Sequence, residues 1–324
     1  MKIISILLNP TIDEIYEIEN FHVGGTFKVK NKIIYPVGKA ISFALGLREL
    51  NQSRDLLKVI AFIGKEEIPL YSNFLNSKNI PFEFVKVDGK TRSNKTIDDP
   101  VNKTTTHIRE TGFHVNKSEL LELIQSIENS VKESDICVFC GSLPLNLEDD
   151  IYYRLIMSCN EKGASCVLDT SGKALLEGIK ANPKIIKPNL VELSQIIDDP
   201  NLNRVDFSNI HIACKTIVRI AKPLLNNELE IVLTTLGDKG AILLTKEKIL
   251  YGNVVVDKVI DTVGSGDSFL AGFVLNQAFS KDLIECFKCA IACGAANTLT
   301  LGPGIFHIED VKRLLKKVEI KEID

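Results

Sequence analysis

The residues best suited to chemistry lie close together in Asp261-Thr-Val-Gly-Ser-Gly-Asp-Ser-Phe-Leu-Ala-Gly-Phe273. Gly264 and Gly266 leave their backbone amides uncovered by side chains, and Thr262, Ser265 and Ser268 add hydroxyls. Phe269, Leu270, Phe273 and Val274 then follow at helical spacing, so Asp267 falls in the first turn of a predicted helix. A glycine turn at a helix N-terminus is an anion site, because its unpaired N–H groups point outward and the dipole favours negative charge. A carboxylate in a first turn also serves plain helix stabilisation. Set beside an anion hole, however, it has the chemistry of a general base for phosphoryl transfer.

Such a turn needs a rigid frame. Short apolar runs at Ile3–Leu8, Lys58–Ile63, Asp135–Cys140, Ser165–Asp169, Lys184–Lys187 and Glu230–Thr234 read as buried strands. Helical patterns at Ala40–Leu50, Pro69–Ser77, Lys117–Lys132, Glu148–Glu161 and Ile210–Leu225 alternate with them. That alternation predicts an α/β protein with a mostly parallel sheet covered on both faces, which binds ligands at the carboxyl ends of its strands. Two stretches depart from it. Residues 13–36 and 82–108 alternate apolar and polar with period two, the second around the turn Asp98-Asp-Pro-Val-Asn102. They predict a small antiparallel sheet projecting from the body. The charge-rich end from Arg313 reads as a terminal helix and tail.

Composition narrows the function classes. The 324 residues are 45% apolar and 25% charged, with a formal net charge of −3. No overall basic field invites nucleic acid. No apolar run approaches the roughly 18 residues of a membrane span, and Met1–Pro10 lacks the features of a secretory signal. A cytoplasmic protein is expected. Eight cysteines raise the question of a metal, but Cys137 and Cys140 fall on opposite faces of one strand. Cys286, Cys289 and Cys293 share a helix face where they pack as small hydrophobes. The five histidines form no usable constellation.

The Asp261–Phe273 segment resembles the second signature of the ribokinase-like, phosphofructokinase B family of carbohydrate kinases. Four further motifs occur in the family's order: Asn9-Pro-Thr-Ile-Asp13, Gly141-Ser-Leu-Pro144, Lys187-Pro-Asn-Leu-Val-Glu192 and Thr235-Leu-Gly-Asp-Lys-Gly240. They are similar to the hexose-phosphate branch, that of 1-phosphofructokinases and tagatose-6-phosphate kinases. The resemblance implies a ribokinase-like three-layer α/β/α sandwich with a β lid, formed as one kinase domain over residues 1–324. It implies ATP and Mg²⁺ as cofactors, a small sugar phosphate as substrate, and a homodimer joined through the lid.

Roles then carry over by position. Asp267 resembles the catalytic base, and the amides of Gly264, Ser265 and Gly266 the anion hole. Asp13 resembles the residue that bonds sugar hydroxyls, with Arg92 and Ser142 on the phosphate already present. Gly38, Lys39 and Ser42 occupy the acceptor signature. Glu192, with Asn189, would organise Mg²⁺; Lys187, Thr235, Gly237 and Gly240 would serve the nucleotide, with Asn297 near its base. Each residue also has an ordinary structural role open to it. Asn189 and Glu192 match a helix capping box, Gly237 and Gly240 an ordinary hairpin turn, Asp13 a turn residue, and Arg92 a solvated charge.

The first family signature departs most. Where the branch reads Gly-Gly-Lys-Gly-x-Asn, this chain has Val37-Gly-Lys-Ala-Ile-Ser42. Glycines permit close approach and positive φ, and Ser42 offers one hydroxyl where the pattern has an amide. Phe27-Lys28 stands where the family places Asn-Arg. The changes gather on the sugar side and leave the transfer machinery intact. A kinase for an unphosphorylated sugar or nucleoside, or a ligand-binding protein on the same scaffold, are therefore the alternatives.

Overall fold

The computed structural model describes residues 1–323. The chain starts with β1 (Ile3–Leu7), passes into the small strands β2 (Thr11–Glu17) and β3 (Asn31–Val37), and returns through α1 (Lys39–Leu50) to β4 (Leu57–Gly64). Next come α2 (Ile68–Ser77), β5 (Phe82–Val87), the small strands β6 (Arg92–Asp99) and β7 (Thr104–Arg109), and α3 (Lys117–Ser130). The other half of the body follows as β8 (Ile136–Cys140), α4 (Ile151–Glu161), β9 (Ser165–Asp169), α5 (Gly172–Ile179), β10 (Ile185–Ile186), α6 (Leu190–Ile197) and α7 (Ile210–Ala221). An antiparallel run β11 (Ile231–Thr235), β12 (Ala241–Leu244) and β13 (Ile249–Asn253) precedes α8 (Ser265–Ala278), α9 (Leu283–Asn297), α10 (Ile308–Leu315) and β14 (Glu319–Glu322).

Ten strands form one sheet in the order β14-β13-β12-β11-β10-β9-β8-β1-β4-β5. It is parallel from β5 to β11 and antiparallel beyond. Every residue of β1 is buried, as a parallel strand covered on both faces requires. Ile3 and Leu7 belong to the core beneath α1, α2, α8, α9 and α10; Ile4 and Ile6 belong to the core beneath α3 to α7. Cys140 lies in the first core and Cys137 in the second, on opposite faces of β8.

The small sheet has the order β3-β2-β6-β7. Two antiparallel hairpins meet through a parallel β2–β6 pair. One expected boundary moves. Residues 82–108 were expected wholly in the lid, yet Phe82–Val87 pairs in parallel with β4 as the edge of the main sheet. An edge strand keeps one side partly wet, so it alternates much as a lid strand does. The terminal segment also differs: a helix ends at Leu315, and Glu319–Glu322 adds an edge strand to β13 rather than a tail. Its charges suit an edge exposed to water.

β1 marks the switch point of the sheet. The crossover to β4 runs one way, and the path through β8, β9 and β10 runs the other. Side chains just beyond the carboxyl ends of these strands therefore face one crevice.

Candidate active site

The crevice is built first by the glycine turn. Gly264 sits before α8 at φ 81, a region that side chains rarely adopt. A Cβ there would lie 2.5 Å from Gly304 N and 2.5 Å from Pro303 Cα. Asn297, fully buried, fastens the turn. Its Nδ2 donates to Val263 O at 2.9 Å, and its Oδ1 accepts from Ser268 Oγ at 2.8 Å and from Gly304 N at 2.9 Å. These three bonds commit the side-chain polar atoms of Asn297 to holding the turn. Ser265 N–H donates back to Thr262 O at 3.2 Å. Among the described residues no acceptor faces the Gly264, Gly266 and Asp267 amides, so these are donors left for an anion.

Asp267 follows at the same helix end, 7% exposed. Burial pushes its carboxyl up to about 7, with Asp169 and Asp13 adding to the rise and Lys39 and Lys187 opposing it. Both lysines are held by Asp169, a residue no motif pointed to. Asp169 is fully buried at the end of β9, with Lys39 Nζ at 2.6 Å and Lys187 Nζ at 3.3 Å from Oδ1. Burial works against its charge, but the two ammonium groups outweigh it and keep the carboxyl below its usual range. Burial likewise opposes the Lys39 charge and is outweighed by Asp169, Asp267 and Glu192, so its pKa is raised. A Cβ on Gly266 would lie 3.4 Å from Lys187 Nζ, which places that ammonium against the turn. The signal that could have found Asp169 is its place, a carboxylate at the carboxyl end of a parallel strand.

On the opposite side stand the lid residues. Asp13 Oδ1 accepts from Thr11 Oγ1 at 3.0 Å and from Asn94 Nδ2 at 3.1 Å. Burial still raises its pKa. Arg92 donates from Nε to Pro10 O at 3.2 Å, and from Nη2 to Asn9 O at 3.1 Å and Ser142 Oγ at 3.4 Å. Gly38 caps α1 at φ 133 and approaches Leu7 too closely for a side chain. A cavity of about 350 Å³ brings Asp13, Gly38, Lys39, Ser42, Arg92, Ser142, Glu192 and Asp267 onto one surface. Asn94, buried with its Oδ1 unpartnered among the described residues, joins them.

The altered first signature takes a specific form. Val37 and Ala40 are buried in the core and do not line the cavity. Their carbonyls accept from Tyr71 OH at 3.2 Å and Ser5 Oγ at 2.7 Å. Of the three departures only Ser42 reaches the cavity wall.

The remaining residues lie beside this surface. Asn189 and Glu192 form a reciprocal capping box on α6, each backbone N–H donating to the other's side chain at 2.8 Å. Glu192 keeps its place in the cavity wall all the same, so the cap does not remove it from the site. Thr235 bridges to Asn189, and its N–H donates to Pro188 O at 3.1 Å. Gly237 and Gly240 make the β11–β12 hairpin turn, where a Cβ on Gly240 would meet Gly252 O at 2.2 Å. Lys187, Asn189, Thr235, Gly237, Gly240 and Asn297 are not in the cavity wall.

A family model described as pfkB family carbohydrate kinase matches residues 8–309. The 1-phosphofructokinase of Bacillus subtilis (strain 168) is 30% identical over 324 residues, which cover 99% of this chain and 100% of that protein. A tagatose-6-phosphate kinase of Staphylococcus epidermidis is 28% identical over 325 residues, covering 99% and 100%. Escherichia coli phosphofructokinase-2, solved in complex with substrates and products, superposes with a TM-score of 0.86 at 23% identity, covering 98% and 99%. Ribokinase from Thermotoga maritima superposes at 0.72 with 20% identity, covering 98% and 100%. These two likenesses show the fold, which is ribokinase-like.

Proposed function

The chain belongs to the pfkB family of carbohydrate kinases, a phosphotransferase acting on a sugar hydroxyl, and from that premise we propose that it uses ATP to phosphorylate a ketohexose phosphate to its bisphosphate. Fructose 1-phosphate and tagatose 6-phosphate are the leading acceptors. The observation that carries this reading is the shared cavity. A buried carboxylate at a helix N-terminus faces hydroxyl-binding and anion-binding side chains across about 350 Å³.

In this proposal the acceptor hydroxyl lies between Asp267 and the γ-phosphate of ATP. Asp267 takes the hydroxyl proton as the oxygen attacks the γ-phosphorus and its bond to the bridging oxygen of the leaving ADP breaks, a contribution of about 10²–10⁴-fold for a positioned base. The Gly264, Gly266 and Asp267 amides receive the equatorial oxygens of the transferred group, with Lys187 and Lys39 adding positive charge. Asp169 holds both ammonium groups in place. Asp13 and Asn94 bind sugar hydroxyls, and Arg92 with Ser142 binds the phosphate already on the sugar. Residues 1–324 act as one kinase unit.

The Mg²⁺ requirement rests on Glu192. One of its oxygens accepts from Asn189 N–H, while the carboxylate borders the cavity within electrostatic reach of Lys39. A single carboxylate of this kind suits an ion that keeps most of its water. Bound there, Mg²⁺ would offset charge on the nucleotide phosphates.

A second reading takes an unphosphorylated sugar or nucleoside as acceptor, and one observation favours it: Arg92 is already tied to the carbonyls of Asn9 and Pro10. Steady-state ADP release with Mg²⁺–ATP and a panel of acceptors separates the two. Sugar phosphates are expected to give the higher kcat/KM, and Arg92→Ala to raise their KM strongly. Preference for an unphosphorylated acceptor, indifferent to Arg92→Ala, would overturn the first reading.

A further inference from the structure

One charge on the inner face of the lid has no role in the chemistry above. Strand pairing sets Asp13 of β2, Asn94 of β6 and Arg109 of β7 in one row across the small sheet. Directly paired residues project from the same face, so Arg109 shares the face of Asp13. Arg92 lies two residues before Asn94 on β6, the diagonal position, within reach of a second long side chain. Arg109 accordingly lines the cavity with Arg92, Asp13 and Asp267.

Its surroundings point to a missing anion. Among the described residues Arg109 has no carboxylate within ion-pair distance and no hydrogen bond from its guanidinium. Arg92 also lacks an ion pair there, and its bonds go to uncharged oxygens. Two guanidinium groups thus converge on one cavity and repel each other, with Asp13 the carboxylate that feels both. Placing like charges together costs free energy unless something negative comes between them. Two planar forks approaching from neighbouring strands match a tetrahedral anion with several oxygens.

We propose that Arg109 is the second arginine of the acceptor's phosphate subsite, sharing that phosphate with Arg92 and Ser142. This rests on the sugar-phosphate reading and sharpens it. Arg109 stands on β7 of the lid, whereas Ser142 follows β8 of the body. A phosphate bound by both ties the lid to the body and draws the sheet over the sugar, excluding water. A sugar without the phosphate leaves both guanidinium groups unpaired and the lid untied. Selection for phosphorylated acceptors is thereby built into closure.

The test compares wild type, Arg109→Ala and Arg109→Lys with fructose 1-phosphate or tagatose 6-phosphate, whichever the wild type turns over. Arg109→Ala should raise KM for that acceptor about 10- to 100-fold, the effect of losing a charged hydrogen bond. KM for ATP and the thermal midpoint should stay put, because the side chain is exposed. Arg109→Lys should recover part of the loss, keeping charge without the fork. Competitive inhibition by inorganic phosphate against the sugar phosphate should weaken in step. An unchanged acceptor KM and an unchanged phosphate inhibition constant in Arg109→Ala, beside an active wild type, would overturn this proposal alone. A wild type inactive on every sugar phosphate but active on an unphosphorylated sugar would overturn both readings.

Discussion

At the scale of single residues, the place of Asp267 in the first turn of α8 was readable because the signals for it are local: the glycines at 264 and 266, three hydroxyls and a helical apolar pattern within thirteen residues. Asp169 was not, because its partner Lys39 lies 130 residues earlier and only the fold joins them. The effect of Val37 and Ala40 was hidden for a similar reason, since burial away from the cavity cannot be seen in a motif. The charges around Asp267 lead to a pH prediction. Its carboxyl is raised to about 7, and in the proposed role of base it must be ionised to act. kcat should therefore fall as pH drops below about 7. Asp169→Asn removes a charge that raises Asp267 and frees two ammonium groups that lower it. The acid limb should then move below 7 while kcat falls, because the lysines lose their anchor. An unmoved limb would argue against this coupling. Stability has its own sign. A carboxyl whose folded value is raised stabilises the fold below its ordinary value, and that contribution is lost as pH rises through about 7. Asp267→Asn should thus melt higher than wild type at pH 8, with the gap closing toward pH 4.

At the scale of elements, the two ends of α8 and α6 carry separable roles. Gly264→Ala places a Cβ against Pro303 and Gly304 at a positive φ. Strain of about 1–2 kcal/mol plus the clash should be visible in chemical denaturation, and activity should fall with the displaced amides. Gly237→Ala faces open space at φ 64 and should cost only the strain, about 1 kcal/mol. Equal losses would contradict the close approach at Gly264. On α6, Glu192→Gln retains an oxygen for the Asn189 N–H, so the cap survives. The melting temperature should hardly move while the Mg²⁺ needed for half-maximal rate rises about 10-fold or more. A drop in melting temperature with unchanged Mg²⁺ dependence would leave Glu192 a cap and nothing else. The parallel strands and their helices were legible from apolar runs. β5 was misplaced because an edge strand alternates, and β14 because three charged residues around Ile320 hide a strand that pairs only with β13.

At the scale of the whole molecule, the lid turns two different faces outward and inward. Its inner face carries Asp13, Asn94 and Arg109; its outer face carries the row Ile34, Glu14, Lys95 and Ile108. Ile34 is 45% exposed and Ile108 49%. Apolar side chains left open on a sheet face suit a second copy, which supports the proposed homodimer through the lid. Ile34→Lys combined with Ile108→Lys should shift the mass measured by light scattering from dimer to monomer, and a wild-type monomer would refute the interface. The architecture, the lid and the family were all readable in the chain; which hydroxyl is phosphorylated depends on distances across the cavity that no motif encodes. Phosphorus NMR of the product tests the central claim most directly. Wild-type enzyme with Mg²⁺–ATP and fructose 1-phosphate or tagatose 6-phosphate should show a second sugar-phosphate resonance growing as ADP appears. Asp267→Asn should show none at about 10³-fold longer times, while still binding ATP with nearly wild-type affinity. ADP formation without a bisphosphate, or a bisphosphate made by Asp267→Asn at a comparable rate, would contradict it.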